Sequence, residues 1–527
     1  MTLKKTCSFV LEIFSFFTFM GYALIILYGI ALLLIFAYSV LQLSLAINYR
    51  KTKKERDTRK RPDFNWDDLP VVTVQLPVYN ELYVVERLIE TVSQFEYPRD
   101  KFEIQVLDDS TDETVEVIAK KVEEVKARGI DIVHIHRTNR KGYKAGALEE
   151  AQAVAKGEFI GIFDADFLPN PNFLLETIPY FDSDDIGVVQ TRWSHINKKF
   201  SLLTELQAFG LNAHFSIEQG GRNAAGHYIN FNGTGGVWRK TTINDAGGWE
   251  HDTLTEDLDL SYRAQMKGWR FVYLEHVTAP AELPVAMTAL KNQQFRWTKG
   301  GAECFRKMSR RLFTAKGLKL SDRIHGLAHL FNSSVFVFIL VTALLSLGVL
   351  YLKVQTDAYN NLLMVGSFFI LSTIFLAFYY WTSYKDKTNN GLVSFFKFIG
   401  RFLQFLTVSM GMSLHNSIAV IEGYRGIKSS FVRTPKFNIA SGNKDWKTNK
   451  YVEKKINLVT LLEGVLSLVF FAAVIYGIAH GEYGLVPFHL MLFLGFGLVF
   501  LFTIGQLDWM NRDSETDKII DTTVEQN

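Results

Sequence analysis

Five apolar runs limit this chain before any motif is considered. They lie at about 19–47, 327–352, 361–383, 457–479 and 485–507, the first centred on GYALIILYGIALLLIFAYSVL. A helix needs about 20 apolar residues to cross a hydrocarbon core of roughly 30 Å, and each run is long enough. The first run is too long for a signal peptide and has no small-residue cleavage pattern. Arg50, Lys51, Lys53, Lys54, Arg56, Arg59, Lys60 and Arg61 crowd its end, whereas only Lys4 and Lys5 precede it. By the positive-inside rule, this cluster and the block after it face the cytosol. Because the cluster abuts a span, it reads as a membrane flank and not as a nucleic-acid arm.

A sixth greasy stretch, 395–424, carries Lys397, Arg401, His415, Asn416 and Glu422 between basic flanks. It reads as an amphipathic helix lying in the inner interface, and a sixth crossing is the competing topology. The expected division is a first span and basic linker (1–60), an α/β domain (61–320), two spans (321–384), an interfacial helix and loop (385–455), two spans (456–508) and a polar, loose tail (509–527). Cys7 and Cys304 make no disulfide framework, and no Cys/His metal spacing is evident. The net charge of +3 is uninformative about a partner.

From residue 70 the pattern alternates between strand and helix. VVTVQLPV, FEIQVLDDS, IDIVHIHR and EFIGIFDADF read as strands, with helices between them. Near-continuous apolar strands separated by helices imply a mostly parallel, Rossmann-like sheet covered on both faces. Ser110 and Glu113 stand in capping-box positions for the second helix. Ligands of such sheets bind outside the strands' carboxyl ends.

Two strands end there in acids, Asp108 and Asp109 in LDDS and Asp164 and Asp166 in DAD. Aspartates are common turn formers. The chemical alternative is a diphosphate held by a hard dication, Mg²⁺ or Mn²⁺. Lys144 in RKGYKAGAL could meet a phosphate, or simply be solvated. Gly233, Gly235 and Gly236 in INFNGTGGVWR permit close backbone approach, or a flexible loop. TLTEDLDLSYR places Glu256, Asp257 and Asp259 after Thr255, either as a capped, dipole-matched helix start or as a reacting carboxylate. Gln293, Arg296 and Trp297 fall at i, i+3 and i+4 on one helix face. That face suits either a membrane interface or a sugar and phosphate site.

The ordered set LPVYNE, LDDS, DAD, FNGT, TED, QQFRW and FVRTPK spans residues 76–436. It resembles the processive, inverting family 2 glycosyltransferases of the GT-A fold, and most of all the cellulose synthase-like A group that makes mannan and glucomannan. The resemblance implies an α/β GT-A domain beside a multi-pass helical region. Tyr79 and Asp109 would contact base and ribose, and Lys144 the base or diphosphate. Asp164 and Asp166 would bind Mg²⁺ or Mn²⁺. Asp257 would be the general base, with Gln293, Arg296 and Trp297 at the acceptor end. Phe431, Thr434 and Lys436 match a gating loop, which departs from the family pattern at Arg433.

The implied partners are a nucleotide-sugar donor (UDP-glucose or GDP-mannose), a growing β-linked glycan and the bilayer. An oligomer or accessory subunit is compatible with the sequence, and no nucleic acid is expected. Asn332, Ser333 and Ser334 are candidates to line a glycan path, or to bond neighbouring helices. The rival activities are glycosylation of a single lipid and nucleotide-sugar regulation of a transporter. A bacterial cytoplasmic membrane is the expected location, with a Golgi membrane as the alternative.

Overall fold

The structure, a computed structural model, describes residues 2–58, 60–360, 362, 364, 370–387, 391–429, 431–438, 451 and 456–524. Side chains are described between Met20 and Gly505, apart from 57, 58, 358 and 385–387. Seven strands form one sheet in the order β3-β2-β1-β4-β6-β5-β7. They are β1 Val72–Val78, β2 Phe102–Asp108, β3 Asp131–His136, β4 Phe159–Ile162, β5 Ile186–His195, β6 Gly236–Arg239 and β7 Arg270–Ala281. Neighbours pair in parallel except β6, which runs antiparallel between β4 and β5.

Both faces of the sheet are covered, as the strand pattern predicts. Val72, Val74, Leu76 and Val78 of β1 face a core that includes Val85, Leu88, Ile89 and Val92 of helix Val85–Ser93. The spacing i, i+3, i+4, i+7 gives that helix one apolar stripe. The other face of β1 differs from a purely apolar strand. Thr73 donates to Glu103 at 2.6 Å and Gln75 to Gln105 at 3.0 Å, each pair set by the parallel register. These groups are buried, and their bonds to one another replace the water they lose.

The second helix starts at Thr114, not Ser110, and the capping box does not form. Ser110 Oγ instead accepts the Asn80 N–H at 2.8 Å, tying the end of β1 to the end of β2. Asp112 Oδ1 accepts the Thr114 N–H at 3.1 Å. The cross-strand partner has taken the hydroxyl that a local cap would have used.

Outside the sheet, five helical segments have the length and composition to cross a membrane, counted among the described residues. They are Met20–Lys51, Leu320–Gln355, Leu392–Gly411, Leu458–Ala479 and Val486–Gly505. The expected run 361–383 falls partly outside the described residues, and its remainder belongs to helix Ile370–Lys387. The stretch 395–424 is two helices, Leu392–Gly411 and Ser413–Arg425. The break lies where Gly411 meets Gly495 of the last helix. A Cβ on Gly411 would sit 2.2 Å from the Gly495 carbonyl oxygen. Small residues allow such backbone contact between helices. The last helix, Val486–Val524, runs on through the polar segment expected to be loose. Extending an existing helix costs far less than nucleating one.

The Gly411 contact gives an internal control. Nothing lies within 4 Å of a Cβ on Gly400, in the same helix. Gly400→Ala should stabilise by about 0.5–1 kcal/mol. Gly411→Ala should destabilise by about 1–3 kcal/mol through overpacking. Thermal unfolding of the detergent-solubilised protein checks both signs.

Candidate active site

The carboxyl ends of β1, β2 and β4 open onto a cavity of about 190 Å³. Its lining includes Tyr79, Asp109, Lys144, Asp164, Asp166, Asp257, Gln293, Arg296, Trp297, Phe431, Thr434 and Lys436. The residues to which the resemblance gives a donor, metal, base, acceptor or gating role are therefore at one place. Asp108 is not, because it turns away from the cavity towards His134 and His136.

The wall begins at the loop after β1. Asn80 holds a left-handed backbone (φ 53°) and accepts the Thr111 N–H at 2.8 Å through its side chain. Asn is one of the few residues that tolerate this conformation. The neighbouring Tyr79 ring carries the Arg140 guanidinium 3.3 Å from its centroid. Asp109 is held in a two-pronged pair by Arg137, both bonds at 2.7 Å. That fork orients the carboxylate from behind.

Asp164 and Asp166 follow β4. The Asp164 N–H donates to Thr234 Oγ1 at 2.9 Å, and Lys144 Nζ lies 2.5 Å from Asp164 Oδ1. Lys436 Nζ lies 2.8 Å from Asp166 Oδ1. Burial pushes the Lys144 ammonium down, but Asp164 and Glu256 outweigh it and the net direction is up. Lys436 behaves in the same way, with Asp166 and Glu81 as the countercharges. Seven carboxylates line the cavity against five cationic side chains, and Asp164 and Asp166, if released by their lysines, would offer the oxygen donors that a hard dication prefers.

Asp257 sits in the first turn of helix Glu256–Met266. Thr255 occupies the N-cap position, yet its side chain caps nothing and lies 3.4 Å from Cys304 Sγ. Ser261 donates to the Asp257 carbonyl at 2.6 Å and accepts the Phe231 N–H at 2.9 Å. This stitches the FNGT loop to the TED helix. Gly233 has φ 77°, and a Cβ there would come 3.2 Å from Asp257 Oδ2. Burial first, then the neighbouring Glu256 charge, pushes the Asp257 carboxyl up to about 7. Burial likewise raises Glu256. Asp259 plays a different part. It is fully buried and pairs with Arg263 at 2.7 Å and Lys307 at 2.9 Å.

Gln293, Arg296 and Trp297 project from one long helix, Met287–Thr314. Lys299 of that helix is fully buried and pairs with Glu422 at 2.8 Å. Lys291 pairs with Glu463 of helix Leu458–Ala479 at 2.8 Å. Residues 431–438 then cross the mouth of the cavity. Thr434 accepts from Arg296 at 2.7 Å, and the Phe431 ring lies 4.5 Å beneath the same guanidinium. Arg433, the departure from the expected loop, pairs with Glu81 at 2.8 Å. Burial outweighs that partner and lifts the Glu81 carboxyl to about 7. Glu81, Arg137 and Arg140 were not singled out from the sequence, although they stand within the quoted LPVYNE, IDIVHIHR and RKGYKAGAL.

A second cavity, of about 490 Å³, shares Trp193, Asp257, Gln293 and Trp297 with the first. It extends to Tyr38, Asn332, Ser333, Phe336, Ile339 and Tyr379 on the apolar helices. Ser334 is not among its lining residues and instead bonds the Tyr424 hydroxyl.

A mostly parallel sheet with paired aspartates at its carboxyl edge and apolar helices beneath defines the class of membrane-associated GT-A glycosyltransferase folds. A family profile described as glycosyltransferase-like family 2 matches residues 70–300, and one described as cellulose synthase matches residues 235–503. The chain belongs to the cellulose synthase family. It is 42% identical over 269 residues to probable glucomannan 4-beta-mannosyltransferase 7 of Oryza sativa subsp. japonica, covering 50% of this chain and 46% of that protein. It is 40% identical over 281 residues to glucomannan 4-beta-mannosyltransferase 1 of Cyamopsis tetragonoloba, covering 52% and 53%. The chain thus spans about half the length of the curated relatives it matches. In fold it resembles the mannosyltransferase PcManGT of Pyrobaculum calidifontis, solved with GDP-Man and Mn²⁺. The TM-score is 0.50 at 21% identity, over 68% of this chain and 97% of that one.

The raised Asp257 value sets a sign for stability. It lies above the ordinary 3.8, so the fold favours the protonated form. That contribution is present at low pH and fades as pH rises through about 7. Asp257→Asn, which mimics the protonated form, should raise the melting temperature relative to the parent at pH 8 and change it little at pH 4. Parallel thermal melts at the two pH values check this. Gly233→Ala, which puts a side chain on a left-handed backbone and 3.2 Å from Asp257 Oδ2, should lower the melting temperature in the same assay.

Proposed function

We propose that the chain transfers a hexose from a nucleotide-sugar with inversion, building a β-linked mannan, glucomannan or glucan. The observation that carries this reading is the shared wall of the two cavities, in which Asp257 and Trp297 face both the acid-lined pocket and the space beneath the apolar helices. The cellulose synthase family match over residues 235–503 favours a polymer over transfer of one sugar to a lipid.

In this reading Asp257 accepts the proton of the acceptor hydroxyl as that oxygen attacks the anomeric carbon from the face opposite the nucleotide. A carboxyl raised by burial and by Glu256 is a stronger base than a solvated aspartate, so it can take a proton and return it to water. Arg296 holds the departing diphosphate, and Trp297 offers an apolar face to the acceptor sugar. Tyr79, Arg140 and Asp109 bound the base and ribose end. Asp164 and Asp166 would hold Mg²⁺ or Mn²⁺, which supplies charge stabilisation to the leaving group. Phe431, Thr434 and Lys436 close the mouth over the donor.

We further propose that the α/β domain lies on the cytosolic side and that Leu392–Arg425 lies in the inner interface. Arg401 pairs with Glu205 at 2.5 Å, Phe398 and Phe402 pack on Phe209, and Arg425 leads within a few residues into the loop over the pocket. The 13-residue helix Ser413–Arg425 is too short to recross a core of roughly 30 Å. The plant relatives lend no support to a bacterial membrane as the host.

GDP-mannose and UDP-glucose, each offered with Mg²⁺ or Mn²⁺, test the reading. The expected outcome is release of nucleoside diphosphate and an alkali-insoluble β-linked product. Asp257→Asn should abolish transfer while nucleotide binding persists. A single sugar on extracted lipid would replace this reading with the lipid-modifying one. Rate should rise with pH through about 7 as Asp257 ionises, and a flat profile would remove Asp257 from the base role.

A further inference from the structure

The end of the sheet holds a second set of ligating side chains, none of which lines either cavity. Parallel register pairs Asp108 of β2 with His136 of the edge strand β3. His134, two residues earlier, lies on the same face of that strand. His134 Nε2 is 2.8 Å and His136 Nδ1 is 3.2 Å from the same atom, Asp108 Oδ2. The three ligand atoms all lie within 4.8 Å of one another.

We propose that Asp108, His134 and His136 bind one borderline transition-metal dication, Zn²⁺ being the ion this donor set suits best. Two imidazoles and a carboxylate, with a fourth position left to water, are a familiar zinc ligand set. Mg²⁺ prefers oxygen donors throughout, so these side chains distinguish the site from the acid-rich pocket. A tetrahedral site with bonds of about 2.0–2.1 Å spaces its ligand atoms by roughly 3.4 Å, and small side-chain rotations reach that spacing here.

The surroundings suit an ion. Asp108 is fully buried, and its Oδ1 accepts the Ser110 N–H at 2.8 Å, which orients the carboxylate from behind. The His136 side chain is 34% exposed and offers an entry path. The site also abuts the donor pocket through the chain itself. Asp109 is the next residue, and Ser110 holds the Asn80 N–H beside Tyr79. A bound ion would brace the corner from which Tyr79 and Asp109 face the pocket, as a structural clamp with no part in bond making.

The test uses the full-length, tag-free protein in detergent at neutral pH, with Mg²⁺ in large excess to fill all-oxygen sites. Calorimetric titration with Zn²⁺ should give one equivalent. That equivalent should persist in Asp164→Asn and weaken by about tenfold or more in His136→Gln. Zn²⁺ should raise the melting temperature of the parent and not of His136→Gln. The metal-free melting temperatures of the two should agree, because His136 lies on an exposed edge. Co²⁺ provides a readout that needs no variant, since intense visible bands mark a four-coordinate nitrogen-containing site. No Zn²⁺ uptake over Mg²⁺, uptake unchanged in His136→Gln, or only the weak bands of six-coordinate Co²⁺ would each overturn the proposal.

Discussion

A crowd of buried and half-buried carboxylates is the constraint from which the rest of this structure follows. Glu81, Asp164, Asp166, Glu256 and Asp257 share one cavity. Like charges at such spacing are tolerated only when protonated or balanced. Both remedies are present. Asp257, Glu256 and Glu81 are pushed towards their neutral forms, while Lys144 and Lys436 stand against Asp164 and Asp166. The two lysines are nearly three hundred residues apart, one at the entry to the helix after β3 and one in the segment following helix Ser413–Arg425. The charge balance therefore ties together pieces that hydrophobic packing alone would leave independent.

Much of this was legible in the sequence because the information was local. Alternation of strand and helix gave a mostly parallel sheet, and apolar length marked the membrane-spanning candidates. The i, i+3, i+4 spacing put Gln293, Arg296 and Trp297 on one face of a helix that the structure contains. What escaped was decided by register and direction. Asp108 and Asp109 are adjacent, and consecutive residues of an extended chain point to opposite sides. One therefore enters the pocket and the other meets two histidines. Arg137 and Arg140 are remote from Asp109 and Tyr79 in sequence, and only the parallel pairing of β2 with β3 brings them together. Cysteine and histidine spacing gave no hint of the cluster at Asp108, because one ligand is on a different strand from the other two.

The local rules that failed did so for related reasons. Ser110 matched a capping box, yet a cross-strand N–H claimed its hydroxyl. The greasy stretch 395–424 read as one helix, and a backbone contact between Gly411 and Gly495 divides it. Thr73 and Gln75 interrupt an apolar strand because β2 supplies a matching polar row. In each case a tertiary partner outbid a sequence-local preference.

Helix Met287–Thr314 carries one last consequence. At 28 residues it is about 42 Å long. Lys291 fastens it to helix Leu458–Ala479, Lys299 to Glu422, and Lys307 to Asp259 behind the TED turn. Gln293, Arg296 and Trp297 fall between the Lys291 and Lys299 anchors, so a single helix sets these side chains in one register to the apolar helices on one side and the TED turn on the other.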